Sequence, residues 1–226
     1  MNSPTGSGSL VLAEELAPLV AWGTAGWTLA GTVLGGTLAA VAVPRLLEHR
    51  GPPSRWSVSG CAVATGLAVG ILAVRFDGIE LVAFAFLACV GVVLAAIDLL
   101  ERRLPRRVIA PGYGVLGGLL LLEAVGSRRW GNLLTALAAA FVVALVYLLV
   151  ALASRGGLGS GDVRFGGLLG MAMGWQGWPA VVTGTAVAWV AAAAVLLVAR
   201  LLGRRPGAIP MGPFLLVGTL AALVSS

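Results

Sequence analysis

The chain has 226 residues, of which 59% are hydrophobic and 11% are charged, and it contains 33 glycines. This composition excludes an ordinary water-soluble domain, because soluble chains carry about 25% charged residues. The net charge of +6 comes from arginines scattered in small groups between apolar stretches, a pattern typical of membrane topology and not of a nucleic-acid interface.

Apolar runs bounded by charged residues predict an all-α fold, a polytopic integral membrane protein with about eight transmembrane helices. No linker separates these runs, so we expect a single membrane-embedded domain over residues 1–226. The sixth and eighth runs are short, and either could be a re-entrant or partly buried segment. In chain order the predicted spans are 16–43, 57–74, 81–100, 108–122, 132–153, 163–175, 178–199 and 211–224.

The arginines favour eight crossings and indicate an orientation. With eight spans, the loops after the first, third, fifth and seventh carry twelve of the fifteen arginines, and the remaining loops carry only Arg75, Arg128 and Arg129. If the sixth segment did not cross, the last loop would change sides, and the arginines would be divided nine against six between the two membrane faces. Since cytoplasmic loops accumulate arginine, we expect both termini outside and the arginine-rich loops inside.

Two of the nine carboxylates stand out by position. Asp98 ends an apolar run, and Asp162 follows the glycine-rich stretch 156–161, so both lie at the predicted cytoplasmic ends of spans. Glu101, three residues after Asp98, shares nearly the same helix face and is an alternative to Asp98 as the partner of Asp162. The other six flank spans and are expected to be solvated interfacial charges: Glu14, Glu15, Glu48, Asp77, Glu80 and Glu123.

A pair of neighbouring carboxylates has a defined chemistry. Two such groups within hydrogen-bonding distance cannot both ionise comfortably, so one keeps a proton while the other acts as a base. This arrangement activates water and protonates a carbonyl without a metal, as in aspartic proteolysis. The glycines before Asp162 allow another segment to approach closely, and a helix starting there would favour the anion.

Each aspartate alone also fits simpler interpretations. Gly-Ser-Gly-Asp is a common turn with an aspartate that caps a helix. Asp98 could be an interfacial residue or an ion-coupling carboxylate of a transporter. Cys61 and Cys89 lie singly in apolar runs and are expected to be small buried side chains.

Three segments together resemble the motifs of type IV prepilin peptidases. Residues 97–105, IDLLERRLP, are similar to the family's first-aspartate motif, in which Asp98 precedes a Leu-Pro pair ending at Pro105. Residues 159–164, GSGDVR, resemble its GxGD motif. Residues 209–215, IPMGPFL, are similar to the segment that opens its last helix, with methionine in place of the common phenylalanine. The order and separation of the three also match.

The resemblance implies a membrane aspartic endopeptidase with Asp98 and Asp162 as its dyad and with neither a metal nor a cofactor. Arg164 would hold the dyad's charge or orient the substrate, although a topological anchor is an equal alternative. The residues implied in substrate binding or loop shaping are Gly159, Gly161, Arg164, Pro105, Pro210, Gly212 and Pro213.

The implied partner is a prepilin or pseudopilin precursor, which loses a short basic leader at the cytoplasmic face of the bacterial inner membrane. Membrane lipid is the other expected partner, and nucleic acid is not expected. Many bacterial members carry a four-cysteine zinc domain between the first two helices and methylate the new N-terminus with S-adenosylmethionine. Here that loop, 44–56, has thirteen residues and no cysteine, so the resemblance is to the short members that cleave without methylating.

Two other functions remain open from the sequence. A small proton- or cation-coupled transporter could use Asp98 and Asp162 to carry the ion along glycine-broken helices. A presenilin-type GxGD protease shares the second motif, but its Tyr-Asp and Pro-Ala-Leu signatures are missing from this chain.

Overall fold

The computed structural model describes residues 7–46, 55–154, 159–203 and 209–226, and this part of the chain forms eight α-helices and no strand. The all-α prediction is therefore confirmed. The helices are α1 (Ser7–Leu46), α2 (Arg55–Arg75), α3 (Gly78–Glu101), α4 (Arg106–Ser127), α5 (Trp130–Ala153), α6 (Ser160–Gln176), α7 (Trp178–Leu201) and α8 (Gly212–Ser225). Most of the loop predicted between the first two spans lies outside the described residues.

The observed helices correspond one to one with the predicted spans. The largest differences are at the start of α1, which begins at Ser7 instead of residue 16, and at the end of α4, which continues to Ser127 instead of residue 122. Apolar runs mark the membrane-embedded part of a helix, whereas the backbone hydrogen bonds continue through the polar residues beyond it.

Six of the described helices are long and apolar enough to cross a membrane: α1 to α5 and α7. The protein is thus a polytopic membrane protein. Helix α6 has 17 residues and α8 has 14. At 1.5 Å per residue, α8 is about 21 Å long, shorter than a hydrocarbon core of about 30 Å. That α6 and α8 cross the membrane therefore stays a prediction.

Helix α3 is the most enclosed of the candidate spans and packs against α1, α2, α4 and α8. Its side chains Phe84, Leu87 and Leu94 are fully buried. Cys61 and Cys89 are also buried and unpaired by disulfides, as expected.

Three helix pairs, α1–α2, α5–α6 and α7–α8, pack tightly through small residues, because glycine lets two backbones approach closely. In the α5–α6 pair, a Cβ at Gly170 would lie 2.9 Å from Val143 Cβ, and one at Gly174 would lie 2.8 Å from the Thr135 carbonyl oxygen. Gly31 against Val69 joins α1 to α2, and Gly218 against Ala188 joins α8 to α7. These contacts hold α6 against α5, α1 against α2 and α8 against α7.

Candidate active site

Asp98 lies in the last turn of α3, where it is only 5% exposed. Arg102 caps the end of the helix, and its backbone N–H donates to the Asp98 carbonyl oxygen over 2.8 Å. The side-chain oxygen Oδ2 accepts a hydrogen bond from the backbone N–H of Gly212 over 2.8 Å. A Cβ at Gly212 would lie 3.0 Å from that same oxygen. A glycine at the start of α8 therefore lets this helix reach the carboxylate.

Asp162 lies in the first turn of α6, which follows an extended Gly159. Its Oδ2 accepts a hydrogen bond from the Gly159 backbone N–H over 3.0 Å, and its own N–H donates to the Gly159 carbonyl over 3.1 Å. The N-cap residue is therefore Gly159, whereas the turn sequence alone predicts that Asp162 caps the helix; Asp162 is at the third helical position and accepts from the N-cap backbone. The cap uses only one oxygen, because Oδ1 is buried and has no hydrogen-bond partner among the described residues. The carboxylate therefore keeps an acceptor free for a ligand.

Gly161, the residue before Asp162, lies against Leu104, six residues after Asp98. A Cβ at this position would lie 2.7 Å from Leu104 Cβ and 3.3 Å from the Leu104 carbonyl oxygen. The first turn of α6 thus packs directly on the connection between α3 and α4. Pro105 ends that connection in an extended conformation just before α4 begins. The Leu-Pro pair and the second glycine of the GxGD motif therefore form one contact.

The two carboxylates influence each other electrostatically. Asp162 precedes the apolar part of α6 and lies outside the six candidate spans. Burial and the nearby Asp98 carboxylate raise the pKa of Asp162 to about 6, although the hydrogen bond from Gly159 acts in the opposite direction. Two carboxylates whose charges interact in this way favour a state in which the pair holds one proton. Such a pair can both accept and donate a proton near neutral pH.

The remaining predicted residues lie close in the chain to Asp98, Asp162 or Gly212. Arg164 is half-buried, and its Nη1 has no hydrogen-bond partner among the described residues. Pro213 is the second residue of α8, and Pro210 lies two residues before that helix. Glu101 ends α3 and is half-buried. The carboxylate that raises the pKa of Asp162 is that of Asp98 and not that of Glu101.

Tyr113 is a site neighbour that the sequence reasoning missed. Its hydroxyl donates to the backbone carbonyl oxygen of Arg164 over 2.8 Å and so ties α4 to the first turns of α6. The sequence carries no motif around Tyr113, and its only signal is a polar aromatic residue inside an otherwise apolar span.

Glu80 was predicted to be a solvated interfacial charge, and this prediction was wrong. Its Oε1 accepts hydrogen bonds from Trp175 Nε1 over 2.9 Å and from Gln176 Nε2 over 2.6 Å. Its Oε2 pairs with Arg129 Nη1 over 3.2 Å, and the Glu80 side chain is 14% exposed. Glu80 is in the first turn of α3, and its carboxylate is shielded from solvent because the end of α6 supplies it with two donors. Asp77, by contrast, is exposed as expected, while Glu14, Glu15 and Glu48 lie outside the residues with described side chains.

No group of three or more histidine, cysteine, aspartate or glutamate side chains that could hold a metal ion occurs in the described part of the chain. The site consists of two carboxylates, each with one oxygen fixed by a backbone N–H group. This arrangement can position a water molecule and exchange protons with it.

Comparison with known proteins gives one match. A model of the type IV leader peptidase family matches residues 85–203, a range that contains both aspartates and the GxGD glycines. No curated protein and no solved structure matches the chain.

Proposed function

Because the chain belongs to the type IV leader peptidase family, we propose that it is a membrane aspartic endopeptidase with Asp98 and Asp162 as its catalytic pair. Its substrates would be prepilin-like precursors, whose short basic leader it removes. The family supports a leader peptidase-type protease that processes precursor proteins. The aspartic mechanism, the prepilin-like precursor and the cytoplasmic membrane face go beyond what the family membership supports and are part of the proposal.

The observation that carries the proposal is that the ends of α3 and α6 hold two largely buried carboxylates, and that the charge of Asp98 raises the pKa of Asp162. Asp98 Oδ2 is held by Gly212 and Asp162 Oδ2 by Gly159, and the two carboxylates repel each other. In the proposed reaction the ionised carboxylate takes a proton from water while the protonated one donates to the scissile carbonyl. The water oxygen bonds to the carbonyl carbon, and the C–N bond then breaks as the leaving nitrogen takes up a proton.

The position of the pair favours proteolysis over ion transport. Asp98 is in the last turn of α3 and Asp162 is in the first turn of α6, so both lie at helix ends. A transporter commonly places its coupling carboxylates near the bilayer midplane. A precursor with an apolar helix in the bilayer and a leader outside it presents its scissile bond at such an interface.

The arginine distribution supports a cytoplasmic active site at the bacterial inner membrane. Arg102, Arg103, Arg106 and Arg107 are exposed and lie in the segment that follows Asp98. Their number in one loop is typical of the cytoplasmic side. The first-to-second helix loop is short, and on this ground we also propose that the enzyme cleaves without methylating its product.

Co-expression with a pilin-like precursor tests this function. The wild-type enzyme should shorten the precursor by its leader, and mass spectrometry should find an unmodified new N-terminus. A precursor that stays intact would reject the peptidase assignment for that substrate class. A product heavier by about 14 Da, the mass of one added CH₂, would show that the short scaffold also methylates.

A further inference from the structure

A small cavity lies between α5, α6, α7 and α8. Its volume is about 10 Å³, close to the minimum of about 10–15 Å³ that holds one water molecule. Three of its lining residues carry a hydroxyl group, namely Tyr147, Thr185 and Thr219, and the other described lining residues have no polar side chain. We call this feature the hydroxyl cavity.

The three hydroxyl groups of the hydroxyl cavity come from three different helices. Tyr147 belongs to α5, Thr185 to α7 and Thr219 to α8. The Thr219 hydroxyl donates to the Leu215 carbonyl oxygen over 2.9 Å, so its lone pairs remain available to accept a hydrogen bond. The Tyr147 phenol can both donate and accept. A buried water molecule needs about two to four polar partners, and these hydroxyl groups can supply them.

Tyr147 is held at the cavity by packing on two sides. Its ring contacts α6 at Gly166, where a Cβ would lie 2.8 Å from Tyr147 Cδ2. On α7 it stacks on Trp189, with the two ring centroids 5.8 Å apart. The residue is only 2% exposed. Its hydroxyl is therefore removed from bulk water, and a buried polar group of this kind needs a hydrogen-bond partner inside the protein.

The hydroxyl cavity lies deeper along the same two helices that form the site. Gly166, which lines it, is four residues after Asp162 and therefore on nearly the same face of α6. Leu215, which also lines it, is three residues after Gly212, whose N–H binds the other carboxylate. The cavity thus begins about one helical turn beyond the pair on both α6 and α8.

We propose that the hydroxyl cavity is a binding site for a single structural water molecule. Dry cavities in proteins are apolar, whereas buried polar cavities that are large enough hold ordered water. The water exchanges hydrogen bonds with the hydroxyl groups of α5, α7 and α8 and so joins these three helices beside α6. The inference does not depend on the proposed function, because neither carboxylate of the pair lines the cavity.

Two methionines of α6 give a matched pair of reporters for this water. Met173 lines the hydroxyl cavity, and Met171 does not. Both are buried, at 3% exposure for Met173 and 6% for Met171. Access from bulk water therefore does not favour Met173, and only a water molecule inside the cavity gives it a source of oxidant that Met171 lacks.

The test exposes the full-length protein in lipid nanodiscs to short X-ray pulses, which split water into hydroxyl radicals that oxidise the side chains in contact with it. Methionine becomes its sulfoxide, and tandem mass spectrometry measures this product at each position. Met173 should be oxidised several times faster than Met171, although it is the less exposed of the two. Equal rates, or a faster rate at Met171, would overturn the inference.

Variants of α7 test the hydroxyl groups, because valine resembles threonine in shape but lacks its hydroxyl. Thr185→Val should lower the oxidation rate of Met173 towards that of Met171, and Thr185→Ser, which keeps the hydroxyl, should not. Thr183→Val is the control, since Thr183 is exposed on the same helix and does not line the cavity. Unchanged oxidation of Met173 in Thr185→Val would contradict the proposed site. If that variant does not fold, the comparison of the two methionines in the wild type still decides.

Discussion

At the scale of single residues, the two aspartates are held by backbone groups and not by titratable side chains. Gly212 and Gly159 each donate an N–H to one Oδ2 atom. A backbone N–H does not change its charge with pH, so the Gly159 hydrogen bond lowers the pKa of Asp162 by a constant amount, against the larger opposite effects of burial and the Asp98 charge. The glycines therefore orient the pair and leave it free to exchange a proton.

Gly212→Ala should impair cleavage, because its Cβ would lie 3.0 Å from Asp98 Oδ2 and 3.2 Å from Asp98 Cβ. Small displacements of a reacting group reduce rates by up to about 100-fold, and we expect kcat to fall at least tenfold. Gly118→Ala is the control, since a Cβ there meets nothing within 4 Å. Equal kcat values for the two variants would show that the Gly212 contact does not position Asp98.

Asp162→Asn should stabilise the folded protein at neutral pH while removing activity. The folded-state pKa of Asp162 is about 6, above the value of about 3.9 expected in an unfolded chain. The folded state thus binds the proton more tightly, and its stability falls as the pH rises from about 4 to about 6. An asparagine does not ionise, so the variant does not lose stability over this pH range. Its side-chain oxygen can still accept the Gly159 hydrogen bond.

Thermal unfolding in detergent, measured for wild type and Asp162→Asn at pH 4 and at pH 7.5, checks this sign. The difference in Tm in favour of the variant should be larger at pH 7.5. A variant that is less stable than wild type at both values of pH would contradict the conclusion that burial and the Asp98 charge destabilise the ionised form of Asp162.

At the scale of helices, α6 is fixed at one end to the connection that follows α3 and at the other end to the start of α3. At one end Gly161 packs on Leu104 beside the catalytic pair. At the other end Glu80 binds Trp175 and Gln176, the last residues of α6. The Trp175 carbonyl oxygen also accepts a hydrogen bond from Asn132 of α5 over 2.8 Å. These contacts define the position of α6 along α3, on which the meeting of the two aspartates depends.

Glu80→Ala should reduce the free energy of unfolding by about 1–3 kcal/mol, because it leaves the buried Trp175 Nε1 donor without its partner. Asp77→Ala is the matched control: this exposed residue is three positions away, and its side chain makes no cap hydrogen bond. Both variants are compared by thermal or denaturant unfolding in the same detergent. Equal stability of the two would show that the Glu80 contacts contribute little.

The sequence predicted the helices well, because an apolar run is a property of the chain itself. It also singled out both aspartates, by their positions at the ends of such runs and by the motifs around them, and their catalytic role stays a prediction. It could not predict that Gly212 donates to Asp98, since the two are 114 residues apart and a backbone N–H has no sequence signal. The Glu80 error has the same origin: its burial depends on Trp175 and Gln176, which are distant along the chain.

At the scale of the whole molecule, the orientation in the membrane decides which compartment the site faces. The eight-crossing prediction places the loops containing Arg103 and Arg204 together on the cytoplasmic side. It therefore depends on α6 and α8, the two helices that are not among the candidate spans.

Single-cysteine labelling tests the topology in a chain in which Cys61 and Cys89 have been replaced by alanine. Cysteines at positions 103 and 204 should be protected from an impermeant thiol reagent added to intact cells, and one at position 226 should react. Reaction at position 204 from outside would overturn the eight-crossing topology and separate the last loop from the active-site face.

The most direct test of the catalytic pair is the initial rate of precursor cleavage by Asp98→Asn, Asp162→Asn and Glu101→Gln enzymes reconstituted in the same liposomes. An amide cannot act as a base or share the proton, so each asparagine variant should lose about 10²- to 10⁴-fold in rate while remaining folded. Glu101→Gln should keep most of the wild-type rate. An active Asp98→Asn enzyme beside an inactive Glu101→Gln enzyme would contradict the assignment of Asp98 to the pair.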